Sequence, residues 1–181
     1  MGLFDQLQNV LTQYTAGSNT SGPQNPQEVE QHFSQVAAVA PQASMAEGLA
    51  AAFRSNQTPA FGDMLGSLFS QSNGEQKAGL LNQLMSSMPP GAVQSLLGSG
   101  AGGGALASLL QSGSSNISPE QAQQVSPEAV QQLAATAEKH DPSIIDTASQ
   151  FYAQHSTLVK TLGGLALTLA LSHIAEKQGR T

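Results

Sequence analysis

Leu158–Ala175 reads LVKTLGGLALTLALSHIA, the longest apolar stretch of the chain and the one on which the fold turns. Lys160 is its only charge, and the fifteen residues between Lys160 and Glu176 include no Asp, Glu, Lys or Arg. Leu158, Leu162, Leu165 and Leu169 recur at helical spacing, while Leu167, Leu171 and Ile174 fall on the opposite side. A helix that is apolar all round must be covered by protein or by lipid. Fifteen residues at about 1.5 Å each reach ~22 Å, short of a ~30 Å hydrocarbon core. The segment therefore reads as a buried core helix, with membrane anchorage through residues 158–175 as the alternative. Gly163, Gly164, Ala166, Thr168 and Ala170 are small enough to let a second helix approach closely. Leu158, Leu162, Gly163, Gly164, Leu165 and Leu169 are accordingly the candidate interface or membrane-facing residues.

Composition narrows the functions that the chain can carry. Only 10% of its 181 residues are charged and 4% aromatic, with no Trp. The core must then be built from Leu, Ala, Val, Ile and Met, and the surface from Gln, Ser, Asn and Thr. A weakly charged surface repels copies of itself little, which favours self-association. The net charge of −6 leaves Arg54, Lys77, Lys139, Lys160, Lys177 and Arg180 scattered. No basic patch forms to neutralise phosphates, so nucleic acid is not an expected partner. With no Cys, thiolate and disulfide chemistry are excluded. MGLFDQLQNV lacks the basic flank of a secretory signal and carries Asp5, so cytoplasmic residence is the expectation, with membrane association through the C-terminal helix as the variant.

The remaining chain reads as all-α. Leu3, Phe4, Leu7, Val10, Leu11 and Tyr14 make an N-terminal amphipathic helix over residues 1–17, which should pack on the rest of the protein. A capping residue followed by Pro then recurs at Asn25-Pro26, Thr58-Pro59, Ser118-Pro119, Ser126-Pro127 and Asp141-Pro142. The side-chain oxygen satisfies an orphan N–H, and Pro lacks the N–H that its position would leave unbonded. Glu28 and Gln121 add the reciprocal half of a capping box. Helices follow over 26–40, 45–54, 59–70 and 75–88, forming a front helical region at 25–97. Gly98, Gly100, Gly102, Gly103 and Gly104 open a flexible Gly/Ser-rich linker at 98–116, since Gly costs ~1 kcal/mol against Ala inside a helix. Residues 117–178 read as a C-terminal helical module. In it, Phe151, Ile144, Ile145, Val130 and Leu133 would surround the apolar last helix, and Leu165 would lie at the centre. PGAVQSLL at Pro90–Leu97 echoes PEAVQQLA at Pro127–Ala134 as a repeated helix start.

No residue pattern marks a catalytic, cofactor or metal site. Glu28 and His32 share a helical face but lack further ligands. His140-Asp141 falls at a helix junction where Asp141 serves as a cap. An enzyme would need a pocket gathering His140, Asp141, Asp146 and His155. The opening MGLFD, the Gly/Leu/Gln/Ser-rich middle and ISPEQ at Ile117–Gln121 resemble the small YidB-like bacterial proteins. That resemblance implies a small helical bacterial domain and supplies no catalytic residue. The expectation is a non-enzymatic helical protein acting by self-association or by binding a protein partner.

Overall fold

The computed structural model describes residues 9, 10, 12, 14, 25–99, 103–111 and 116–178. Among these the chain is all-α, with no strand. Asn9, Val10, Thr12 and Tyr14 are helical, and Val10 and Tyr14 are buried. Leu3, Phe4, Leu7 and Leu11 of that expectation lie outside the described residues.

The helices start at the expected Pro after Asn25, Ser118 and Ser126, but not after Thr58 or Asp141. α1 (Pro26–Val39) is capped by Asn25, whose side chain accepts from Gln27 N. α2 (Gln42–Arg54) follows directly after Pro41. α3 (Phe61–Gln71) starts beyond Pro59, and Thr58 does not cap it. The Thr58 hydroxyl instead donates to the carbonyls of Ala52 and Ser55 at 2.7 and 3.0 Å, closing the C-terminal end of α2. α4 (Gly74–Ser87) opens on a capping box between Asn73 and Gln76. α5 (Pro90–Ser99) and α6 (Gly103–Gln111) occupy much of the stretch expected to be a flexible linker. Leu106 and Leu109 are buried, which accounts for helix formation there in spite of the glycines. α7 (Pro119–Gln123) carries the anticipated Ser118–Gln121 capping box. α8 (Pro127–His140) is capped by Ser126, and α9 (Ile144–Gln154) follows the turn in which Asp141 accepts from Ser143 N.

The last apolar stretch is not one helix. A short α10 (Ser156–Val159) passes into a 3-10 turn over Lys160–Leu162. Gly163 then takes φ +87°, a left-handed conformation that side chains resist, and α11 (Gly164–Gln178) begins afresh. None of the described helices is long and apolar enough to cross a membrane.

The chain divides into two compact units, one of residues 1–58 with 149–181 and the other of residues 59–148. The boundaries differ from those expected at the glycine run. In the first unit α11 packs against α2 and α1, and α10 touches α1. Phe33, Val36, Leu49, Leu167 and Leu171 are shut off from solvent in this core. In the second unit α3 packs against α8, α4 against α7, and α5 against both α8 and α6. Leu65, Leu68, Phe69, Val130 and Leu133 form its centre. Val130 and Leu133 thus belong to a core that does not contain α11. At Ile117 the chain is held by Asn82, whose amide donates to the Ile117 carbonyl (3.2 Å) and accepts from its N–H (2.7 Å).

Candidate functional site

α11 has two unlike flanks. Ala166, Leu167, Ala170, Leu171, Ile174 and Ala175 are buried, each 2% exposed or less. Steps of one, three and four residues confine them to one face of a helix. That face lies against α2 and α1. The approach to α2 is tight, because a Cβ built on Gly48 would lie 2.7 Å from the Ala170 carbonyl oxygen and 2.7 Å from Ile174 Cγ1. A Cβ built on Gly164 would lie 3.5 Å from the Pro26 Cα, in ordinary contact range. Ala170 and Gly164 therefore lie against α2 and Pro26, while Gly163 has open space around it. Gly48 escaped the sequence reading; the small-residue run Ala46, Gly48, Ala50, Ala52 of α2 was its available signal.

The other flank faces out. Leu165 is 56% exposed, so it is not the centre of a core. Leu169 is half-buried beside it, one turn further on, as are Leu158 on α10 and Leu162 in the 3-10 turn. Gly163 is exposed and Gly164 half-buried. The six residues named from sequence thus all retain solvent exposure, while their apolar neighbours Leu167, Leu171 and Ile174 are buried. The simultaneous burial expected of Leu162, Leu165, Leu167, Leu169, Leu171 and Ile174 holds for Leu167, Leu171 and Ile174, fails for Leu165 and is incomplete at Leu162 and Leu169. Two neighbouring helices cover one face of a cylinder and leave the opposite face open.

Polar contacts around this segment are modest. Lys177 at its C-terminal end pairs with Glu47 of α2. Both side chains are about half exposed (55% and 45%), and such pairs contribute little. Phe151, half-buried, meets Tyr152 edge-on at 5.3 Å and the His155 ring at 4.8 Å.

The titratable groups are occupied structurally. Tyr14 O–H lies 3.1 Å from His32 Nδ1, with the rings edge-on at 6.0 Å. Burial, and secondarily the Glu28 carboxylate, push the Tyr14 phenol up to about 12. This contact ties Tyr14 to α1. The Asp141 carboxyl is held below the usual range by the Ser143 hydroxyl and then by the Ser143 N–H, the behaviour of a cap. Glu120 is lowered likewise by its own N–H and by Ser118. His140 is exposed in the last turn of α8. Among the described residues no three His, Asp or Glu side chains cluster as a metal site. Compared with protein-family models, curated proteins and solved structures, the chain matches none.

Proposed function

We propose that the chain is a non-catalytic helical protein that works by association, with itself or with a protein partner. The surface it uses is the open flank of α11, exposed Leu165 and half-buried Leu169, with half-buried Leu158 and Leu162 in the connection before it. The observation carrying this reading is the 56% exposure of Leu165 on a helix whose opposite flank is fully covered. An apolar flank left open beside a weakly charged surface gains by meeting another apolar surface, because burial removes it from water without separating paired charges. The resemblance to small YidB-like bacterial proteins is carried forward as part of the same proposal and adds no reaction to it.

Light scattering on size-fractionated protein across a concentration series tests this. The wild type should gain mass with concentration, and Leu165→Asp should remain monomeric with unchanged helicity. A wild type that stays monomeric throughout and recovers no partner from pull-downs overturns the reading. Flotation with vesicles is the companion measurement. Wild type that floats where Leu165→Asp does not would assign the flank to lipid, the alternative raised by the apolar stretch.

A further inference from the structure

We infer that the chain is a duplicated three-helix segment whose third helices are exchanged. We further infer that its self-association proceeds by the same exchange between two copies, α11 of one chain seating on α1 and α2 of the other. The second part rests on the association reading above.

The duplication shows in matched elements. α1 and α8 are each fourteen residues long, each with Pro at the start and a side-chain cap, Asn25 and Ser126. The buried positions Val29, Phe33 and Val36 of α1 correspond in spacing to Val130, Ala134 and Ala137 of α8. A proline follows each, Pro41 and Pro142, and opens the way to α2 and α9. There Met45, Leu49 and Phe53 repeat the four-residue spacing of Ile144, Ala148 and Tyr152, all buried, with two residues fewer between Pro142 and Ile144 than between Pro41 and Met45. In the third helices, Leu65, Leu68 and Phe69 of α3 match Leu167, Ala170 and Leu171 of α11. Gly62 and Gly164 stand at the same distance ahead of the first of these leucines.

Each third helix packs on the other segment, though on different partners, α3 on the first helix there and α11 chiefly on the second. α3, third helix of the first segment, packs on α8, first helix of the second. α11, third helix of the second segment, packs on α1 and α2 of the first. The two compact units follow from this, since residues 1–58 are completed by residues 149–181 and residues 59–148 hold the complementary pieces. Each acceptor surface is thus already filled by a helix from the other segment. An identical surface on a second chain accepts an identical α11, and the contacts of α11 with α1 and α2 are kept. Exchange of an identical element is for this reason a low-cost route to dimers.

The connection into α11 suits such a transfer. Between α9 and α11 lie only a four-residue helix and a 3-10 turn, ending at Gly163 with φ +87°. Nothing lies within 4 Å of a Cβ placed on Gly163, so the chain can change direction there without collision. The flank Leu158, Leu162 and Leu165 sits around this connection. Two connections running side by side in the exchanged dimer would cover it, which is the gain over the closed monomer.

The described residues and the whole sequence lack cysteine, so introduced thiols report cleanly. Glu47→Cys and Lys177→Cys replace an exposed pair that joins α2 to α11. In the full-length double variant, a short bismaleimide should link the two thiols within one chain in the monomer fraction. In the dimer fraction that internal link should be lost and replaced by links between chains. When E47C-only and K177C-only chains are unfolded, mixed and refolded, their dimer should become covalent on treatment. A dimer whose double-variant chains remain linked internally overturns the exchange and leaves association through the leucine flank standing. Absence of any dimer across the concentration series overturns both.

Discussion

Gly48→Ala tests the close approach on which the first unit depends. The new Cβ would lie 2.7 Å from the Ala170 carbonyl oxygen, and 2.7 and 2.9 Å from Cγ1 and Cδ1 of Ile174. Real Cβ atoms essentially never come within 3.0 Å of such neighbours, so something must shift. The Ile174 side chain can rotate, but it is 1% exposed and has little room. The Ala170 oxygen is backbone and cannot rotate away, so α11 must move off α2. Overpacking of this kind costs ~1–3 kcal/mol, and an immovable obstacle places it at the upper end. Alanine returns about 1 kcal/mol through its better helix propensity. The net is a loss of about 2 kcal/mol, and at ~2–4 °C per kcal/mol for a chain of this size Tm should fall by about 4–8 °C. Gly98→Ala is the control, since Gly98 lies in α5 with nothing within 4 Å of its Cβ. It should stabilise by ~0.4–1 kcal/mol through the unfolded chain. Thermal melts followed by circular dichroism at 222 nm read both. A Gly48→Ala protein melting at or above wild type would show that α2 and α11 do not cross in close contact there.

Leu165→Asp should leave the unfolding free energy within about 0.5 kcal/mol of wild type because the side chain is exposed, whereas Leu171→Ala, at 0% exposure, should cost ~2–5 kcal/mol; urea titrations of the pair decide whether the two flanks are correctly placed. Asn82→Ala removes both side-chain bonds to the Ile117 backbone and leaves part-buried groups unpaired, for a loss of ~1–3 kcal/mol. Amide exchange at Ile117 should accelerate in that variant, and unchanged protection there would refute the clamp. Tyr14 has a folded value of about 12 against an ordinary 10.0, raised by burial and by Glu28. Its contribution is therefore full below pH 10 and is lost as pH rises through about 12. Ultraviolet titration of Tyr152→Phe, which leaves Tyr14 as the sole phenol of the chain's two tyrosines, should give a midpoint well above 10; a midpoint at 10 would show that Tyr14 is undocked.

Sequence alone determined the class and most helix starts, because those depend on neighbours a few residues apart. Ser118 with Gln121 and Ser126 with Ala129 satisfy backbone donors within one turn, so the chemistry is complete in the local string. The periodic leucines of 158–175 likewise marked an apolar segment. Thr58 was misread because its hydroxyl had a competing use, the open carbonyls of α2, that spacing to Pro59 does not reveal. The break at Gly163 was missed because a glycine pair inside an apolar run is compatible with either a helix or a turn, and only packing selects between them. Tertiary structure alone decided what covers α11. Its neighbours are α1 and α2, at the opposite end of the chain, while α8, nearer in sequence, pairs with α3. Apolar periodicity says that a helix face needs cover and leaves the covering helix unspecified. Here that choice was made by complementary shape, Gly48 opening the space that the Ala170 backbone enters, and it left Leu165 facing out.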